Sequence, residues 1–352
     1  MATASSSTPQ ARSRDTSDPH ALDIQDAAQQ AETAIEPATD GDSSYETDSV
    51  AGGSEMTSLS SSVRDYTFEN GRRYHRFREG AYNFPNDDAE QDREDMKHAL
   101  VVAACGDKLA FAPIGNKPQR IIDLGTGTGI WCIEVGDQYP SAQVVGIDLS
   151  PIQPVWVPPN VQFLVDDAES PWTFPNDYFD LVHCRHMVQA FKDYSKALST
   201  AYKHIKPGGW VELQELIYAP KCDDGTMPDD YVLKIFLDNV KEGLTRLGPD
   251  MYATAKLPGK VKDAGFVNIT DRVVKLPVGP WAKNKTLKKV GLYLYAGIMD
   301  GLQAIAMGPM TRGLGKTPVE VELFLKEVRE GMKDSKVHSY FDMHIIYGQK
   351  PE

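Results

Sequence analysis

Cysteine is scarce in this sequence and widely spaced. Among 352 residues there are four, with no C-x-x-C pair and no histidines grouped near them: Cys105, Cys132, Cys184 and Cys222. This pattern argues against a disulfide framework and against structural zinc, so no bound metal is predicted. We expect reduced thiols that are mostly buried, because free cysteine packs as a small apolar residue.

Long apolar runs are also missing. The N-terminus has no basic region followed by an apolar core, and no stretch approaches the roughly 18 apolar residues of a membrane span. The longest helical pattern, at 286–307, is interrupted by glycine and charge. We therefore expect a chain with no signal peptide and no membrane span, located in the cytoplasm, the nucleus or both.

Bases and large apolar residues are rare in residues 1–62. That segment holds 20 Ser and Thr, 11 acids and two bases, Arg12 and Arg14, for a net charge of −9, so the remaining 290 residues carry −4 of the total of −13. It cannot bury enough apolar surface to offset its ordering entropy. We predict a disordered acidic tail at 1–62 and a folded domain at 63–352. No basic run is long enough to bind nucleic acid directly.

The clearest positive signal is a buried strand that runs into a glycine-rich turn and a helix. The strand, at 120–124, is apolar and β-branched, as expected of a parallel central strand. The glycines Gly125, Gly127 and Gly129 follow it in a G-x-G-x-G pattern that permits positive φ and a close approach of backbone to ligand. The next helix, from about Ile130, directs free N–H groups at that ligand.

Further strands follow, and each ends in polar residues. Strands are predicted at 143–148, 161–165, 179–184 and 210–214, with a helix at 194–205. Strands that alternate with helices favour a parallel sheet with right-handed crossovers, and ligands bind at the carboxyl ends of such strands. Asp148, at the end of the second strand, is placed where a ribose hydroxyl would be accepted.

The flanking regions extend this plan. A helix at 88–108 is predicted from its capping residues and should cover one side of the cleft. The C-terminal third contains a helix at 256–264, a strand at 267–276, helices at 286–307 and 318–333, and a final antiparallel strand at 339–348. We predict an α/β, Rossmann-like, doubly wound sheet of seven strands. Insertions at 217–254 and after 276 should build a substrate pocket over its open edge.

As a set, residues 119–214 resemble the class I S-adenosylmethionine-dependent methyltransferases. This resemblance implies methyl transfer with S-adenosyl-L-methionine as cofactor. It implies that the glycine loop with Asp123 and Thr126 holds the methionine part, that Asp148 and Leu149 meet the ribose, and that the adenine lies near the next strand end. The remaining residues assigned to the cofactor by this resemblance are Asp166, Asp167, Ala168, His183 and Arg185.

A narrower resemblance covers 66–75 and 82–93, together with Cys184-Arg-His-Met187 and Phe191-Lys-Asp193. These segments resemble the LaeA-like methyltransferases of filamentous fungi, which are associated with secondary metabolism and its regulation. From the order of predicted elements we divide the domain into an N-terminal helical cover (63–118), a cofactor core (119–215) and substrate-side insertions with the last strands (216–352). The cluster at 72–75 is predicted to contact the cofactor, with Tyr74 as a ligand. Alternatively, its arginines pair with acids and Tyr74 packs on the sheet.

Methyl transfer from a sulfonium depends on orientation and desolvation, so catalytic residues leave little trace in a sequence. His186, just beyond the fourth strand, is placed where a base can reach an acceptor hydroxyl; the alternative is hydrogen bonding within its loop. Trp131 and Trp156 can stack on adenine, although Trp131 occupies a core position of its helix.

The resemblance does not identify the substrate that accepts the methyl group. The favoured function is methyl transfer to a small metabolite or a protein in fungal secondary metabolism or its regulation. The alternative is a cofactor-binding regulatory subunit that acts through protein partners and has little activity of its own. A nicotinamide-dependent dehydrogenase is disfavoured by the G-x-G-x-G spacing, by Asp123 and by Asp167.

Overall fold

The computed structural model describes residues 19–38 and 66–352. Nine strands and eight α-helices follow one another in these ranges: α1 (Pro19–Glu32), β1 (Tyr66–Glu69), β2 (Arg72–His75), α2 (Asp88–Ala104), β3 (Arg120–Leu124), α3 (Ile130–Gln138), β4 (Gln143–Asp148), β5 (Val161–Val165), β6 (Phe179–Arg185), α4 (Tyr194–His204), β7 (Ile205–Leu216), α5 (Val232–Leu247), α6 (Leu257–Asp263), β8 (Val267–Pro277), α7 (Lys285–Gly308), α8 (Pro318–Gly331) and β9 (Tyr340–Gln349).

Seven strands form one mixed sheet in the order β5-β4-β3-β6-β7-β9-β8. Strands β3 to β7 pair in parallel, and β9 runs antiparallel to both of its neighbours, β7 and β8. This confirms the predicted fold class. Because Asp123 pairs with Gly146 on one side and with His183 on the other, the carboxyl ends of β3, β4 and β6 lie at the same edge of the sheet.

The sheet separates two apolar layers. Alternate residues of a strand point to opposite faces, so Ile121 packs with α3 in a smaller cluster while Ile122 belongs to a larger one. The larger cluster holds the buried faces of α2, α5, α7 and α8. Of these helices, α2 and α7 contact β8, and α5, α7 and α8 lie within the predicted insertions. The helix α5, within the insertion at 217–254, was not foreseen as an element.

Two predicted boundaries are wrong. Helix α2 ends at Ala104 rather than Lys108, because Gly106 and Asp107 both adopt positive φ, which stops a helix. Strand β7 begins at Ile205 rather than Trp210. The residues 206–209, between the predicted helix and the predicted strand, are part of the strand, and the pairing with β6 shifts register between Phe179 and Leu181.

Helix α7 and the turn after it correct another expectation. Within the described ranges, Lys285–Gly313 is the one helical stretch long and apolar enough to cross a membrane by length and composition. It carries Lys285, Lys288 and Lys289 at its start, Asp300 in its middle and Arg312 near its end, so it passes this test in spite of the glycines and charges that interrupt it. More than half of its apolar 18-residue window is buried inside the protein. It therefore packs as a core helix of this fold.

The prediction of disorder across 1–62 is wrong for residues 19–38. Helix α1 packs against α7 and β8 and buries Ala27 and Ala31, and Ile35 is buried just after it. Asp23 accepts a hydrogen bond from the backbone N–H of Thr286 at 3.1 Å, in the first turn of α7. The mean composition of the segment concealed this helix, because its buried stripe consists mainly of small alanines four residues apart. The rest of the predicted tail lies outside the described residues.

Candidate active site

Three adjoining cavities lie at the carboxyl edge of the sheet. The strand-end cavity, of about 1000 Å³, is lined by the ends of β4 and β5 and by the segment from Ala81 to Glu94. The glycine-loop cavity, of about 460 Å³, lies between the turn after β3 and the end of β6. The apolar cavity, of about 940 Å³, lies beneath α2, α5 and α7.

The strand-end cavity contains most of the residues assigned to ribose and adenine: Asp148, Leu149, Asp166, Asp167 and Ala168. Asp148 is fixed at the end of β4, where its carboxylate accepts the backbone N–H groups of Gly127 and Ser150, each at 2.9 Å. Burial raises the pKa of Asp148 to about 6, against the effect of those hydrogen bonds. Its oxygens keep free lone pairs toward the cavity, as a ligand of sugar hydroxyls requires.

The glycine-loop cavity contains the residues assigned to the methionine part, including Asp123, Thr126, His183 and Arg185. Asp123 contacts His183 Nδ1 at 2.7 Å, and the ring of Trp131 stacks on that imidazole with centroids 3.8 Å apart. Trp131 is thus a core residue that orients His183 and is not an adenine platform. The Nε2 atom of His183 is buried and has no hydrogen-bond partner in the part of the chain that the structure describes.

The glycines of the loop have different roles. Gly125 and Gly127 line both cavities, and a Cβ built on Gly127, at φ +56°, would meet no atom within 4 Å and would enter the open space. Gly129 lines neither cavity. Its φ is +84°, and a Cβ there would stand 2.3 Å from Cζ of Phe163, so this glycine lets the chain pass β5 and start α3.

His186 is the residue that borders all three cavities. It adopts a left-handed backbone with φ 60°, and its N–H donates to the carbonyl of Gln214 at 3.0 Å. Burial and the positive charges of Lys97, Arg185 and Arg93 hold its pKa well below the usual range. Its ring is therefore neutral at pH 7, and its buried Nδ1 lacks a hydrogen-bond partner among the residues described.

Glu215 holds the loop that carries His186. Its buried carboxylate accepts the N–H groups of Met187, at 2.7 Å, and Val188, at 3.2 Å, as well as the hydroxyl of Tyr194. Burial raises the pKa of Glu215 to about 7. These bonds satisfy backbone groups that the left-handed turn at His186 would otherwise leave unpaired.

A charged face of α2 borders the site, and the sequence analysis missed it. Glu90 and Glu94 line the strand-end cavity, Arg93 lines the apolar cavity, and Lys97 lines both the apolar and the glycine-loop cavities. One turn further, His98 accepts a hydrogen bond from Arg185 at 2.7 Å. The signal in the sequence was a run of alternating charges beside an apolar stripe, which ordinarily indicates an exposed helix face.

The apolar cavity is lined mainly by aliphatic and aromatic side chains, among them Phe84, Leu100, Phe236, Leu294, Ile298 and Phe341. A polar link connects it with the strand-end cavity: Tyr218 donates to Gln189 at 3.1 Å, and Gln189 donates to Tyr82 at 3.4 Å. Tyr82 also went unpredicted, although it belongs to the second segment that carries the narrower resemblance.

The predicted role of Tyr74 is not supported. Tyr74 is buried and lines none of the three cavities. Arg72 binds the carboxylate of Asp87 through two hydrogen bonds of 2.5 and 2.7 Å, and Arg73 binds Asn86, so the arginines pair within the fold. Trp156, the other proposed adenine platform, is 93% exposed.

The sheet order, the glycine loop and the acids at successive strand ends define the class of protein. It is an α/β protein that binds a nucleoside-bearing cofactor across its strand ends. The observed cradle fits S-adenosyl-L-methionine in particular. Gly127 leaves open space beside its backbone, Asp148 offers acceptors for the ribose, and Asp123, His183 and Arg185 line the cavity assigned to the methionine part.

Comparison with known proteins supports this class. A family described as a methyltransferase domain matches residues 93–237. Methyltransferase pytC of Aspergillus terreus is 40% identical over 320 residues, covering 91% of this chain and 98% of that protein. Secondary metabolism regulator LAE1 of Cochliobolus heterostrophus is 35% identical, with 81% and 94% covered, and protein-methionine methyltransferase laeA of Emericella nidulans is 32% identical, with 97% and 91% covered. The chain belongs to this family of S-adenosylmethionine-dependent methyltransferases of fungal secondary metabolism.

Proposed function

We propose that this enzyme methylates a small, largely apolar acceptor bound in the apolar cavity. The observation that carries the proposal is the position of His186, at the point where the apolar cavity meets both cofactor cavities. A cavity with mostly apolar walls and a few polar groups suits a compact metabolite, since ligand pockets have this character. The same enclosure suits a flat protein surface poorly.

His186 can act on the acceptor without strong basicity. S-adenosyl-L-methionine supplies an electrophilic methyl group when bound. Because displacement at a sulfonium depends largely on orientation and desolvation, the protein has to hold the acceptor atom in line and receive its proton. The neutral ring of His186 lines the apolar cavity and both cofactor cavities, so it can accept a hydrogen bond from an acceptor hydroxyl or amine, and Glu215 keeps the loop in place for that contact.

A protein acceptor is the second candidate. It is favoured by the name of the Emericella nidulans relative, a protein-methionine methyltransferase. On this alternative an extended side chain, rather than a whole metabolite, would enter the cavity beside His186. We also propose that the protein binds regulatory protein partners and that it is located in the cytoplasm or the nucleus.

The decisive experiment uses the full chain with methyl-labelled cofactor and a fungal extract, with small-molecule and protein fractions counted separately. We expect label in the small-molecule fraction. His186→Asn, which tolerates a left-handed backbone, should lower turnover by about 10²-fold or more, while cofactor affinity changes by less than about threefold.

His344→Asn is the matched control, because His344 pairs with Asp271 on the sheet and lines no cavity described above. It should retain full turnover. If label were found in the protein fraction alone, the result would support a protein as the methyl acceptor. Full turnover by His186→Asn would remove the proposed role of the imidazole.

A further inference from the structure

We propose that Glu94 supplies the negative charge that faces the sulfonium of the bound cofactor. By doing so it makes the site distinguish the charged cofactor from its neutral product, S-adenosylhomocysteine. The inference concerns the cofactor alone, so it holds whichever acceptor the enzyme uses.

The position of Glu94 follows from the two cofactor cavities. Six residues line both the strand-end and the glycine-loop cavities: Glu94, Gly125, Gly127, Thr128, Arg185 and His186. In the cofactor, sulfur joins the ribose to the methionine chain, so it must lie where the adenosine cavity meets the methionine cavity. Among these shared residues, Glu94 has the one carboxylate. Arg185, the shared cation, suits the carboxylate of the methionine part instead.

The contacts of Glu94 keep it ionised and open to the cavity. Lys97 donates to its two oxygens at 2.9 and 2.8 Å, and Arg93 donates to one of them at 2.5 Å. Burial raises the pKa of Glu94, but the charges of Lys97 and Arg93 outweigh burial and leave it below the usual value. Both cations also line the apolar cavity, and the side chain of Glu94 remains 31% exposed.

Arg93 lies on the side of the apolar cavity, Lys97 borders both the apolar and the glycine-loop cavities, and the partly exposed carboxylate lies between these cations and the cofactor space. Methyl transfer converts the sulfonium into a neutral thioether, so the attraction to Glu94 exists only before transfer. Asp123 and Asp148 also face these cavities, but each lines only one of them. Opposite charges attract strongly in a partly buried site, so the loss of Glu94 should affect the charged cofactor selectively.

The test is calorimetric titration of the full chain with S-adenosylmethionine and, separately, with S-adenosylhomocysteine. Glu94→Gln should weaken binding of the cofactor by about tenfold or more and change binding of the product by less than about threefold. Retained binding of the product shows that the variant is folded.

Lys97→Met should change the ratio of the two affinities in the direction opposite to Glu94→Gln. It removes a cation that offsets Glu94, so the ratio of the two affinities should move toward the charged cofactor by about threefold. This variant decides the question if Glu94→Gln does not fold, because an unchanged ratio in Lys97→Met contradicts the proposal.

Glu90→Gln is the matched control. Glu90 lies on the same helix face and also binds Arg93, but it lines only the strand-end cavity. It should leave the ratio of the two affinities within about twofold. Equal weakening of cofactor and product by Glu94→Gln, or an equal shift of the ratio by Glu90→Gln, would overturn the inference.

Discussion

The cofactor side and the acceptor side of the active site are built in different ways. The cofactor cavities come chiefly from one continuous segment of chain, in which successive strand ends place Asp123, Asp148 and His183 at the same edge of the sheet. The apolar cavity comes from residues between Phe84 and Phe341, on helices far apart in the sequence. Charge and backbone shape define the first side, and packing between helices defines the second.

This difference has a chemical consequence. The acids of the cofactor side complement a cation and a sugar, whereas the opposite side offers mainly dispersion and desolvation. His186 and the charged face of α2 lie on the boundary, where polar groups from one side meet apolar walls from the other. Substitutions on the two sides should therefore affect separate measurable quantities.

The largest expected effect is on the glycine loop. Gly127→Val places a β-branched side chain in the cofactor space and forces it to adopt positive φ, so cofactor affinity should fall by about 100-fold or more. Gly115→Val is the control, because Gly115 also has positive φ and open space around it but lies outside the cavities. Titration calorimetry on both folded variants measures the effect. Unchanged affinity in Gly127→Val would contradict the assignment of this loop.

Removal of the ribose ligand should have the next largest effect. Hydrogen bonds to a charged carboxylate contribute about 1.5–3 kcal/mol each, so Asp148→Ala should weaken cofactor binding between about tenfold and several-hundred-fold. Asp137→Ala, which removes an exposed carboxylate from α3, should leave it unchanged. A loss of less than about threefold in Asp148→Ala would show that the ribose hydroxyls are held elsewhere.

These two predictions were available from the sequence because the information is local. A strand, an acid and spaced glycines specify Asp123, Gly125, Gly127 and Asp148 without knowledge of the rest of the chain. Parallel pairing then brings the strand ends together, as expected of this sheet.

The remainder of the site depends on tertiary packing that a sequence does not display. The charges of α2 resemble a solvated helix face, and only the packing of this helix against α7 and the sheet removes Glu90, Arg93 and Lys97 from most of the solvent. Tyr74 was assigned from resemblance, yet it lies on a hairpin whose Arg72 pairs with Asp87, and Tyr82 lines the strand-end cavity instead. The predicted insertions did lie over the site, but their individual lining residues could not be inferred.

A change confined to the acceptor side should leave cofactor binding intact. Gly297, on α7, lines the apolar cavity, and a Cβ there has no neighbour nearer than Cγ of Arg93 at 3.9 Å. Gly297→Leu should fill that space and raise KM for the acceptor by about tenfold or more, with cofactor affinity within about twofold. Gly259→Leu, a helical glycine outside the cavity, is the control. If Gly297→Leu weakened cofactor binding as much as acceptor binding, the acceptor side and the cofactor side would not be separate sites.

The pH dependence of cofactor binding should originate on the cofactor side. Because burial raises the pKa of Asp148 to about 6, the free protein takes up a proton there as pH falls, and only the charged carboxylate accepts fully from the ribose. Affinity should thus fall by about tenfold between pH 7 and pH 5, with the steep part below pH 6. In Asp148→Ala this dependence should flatten. If cofactor affinity depended on pH as steeply in Asp148→Ala as in the unmodified protein, a group other than Asp148 would bind the proton.

The smallest effect concerns a region outside both sides of the site. Deletion of residues 1–38 removes α1, with its buried Ala27, Ala31 and Ile35 and its bond from Asp23 to the start of α7. The buried groups contribute about 2–3 kcal/mol, so Tm should fall by about 5 °C. Cofactor affinity should stay within about twofold, because no residue of 19–38 lines a cavity described above.

Deletion of residues 1–18, which keeps α1, is the control and should leave both Tm and cofactor affinity unchanged. If deletion of 1–38 leaves Tm unaltered, α1 contributes nothing to stability. If it weakens cofactor binding about tenfold, α1 supports the active site through α2 as well as the fold.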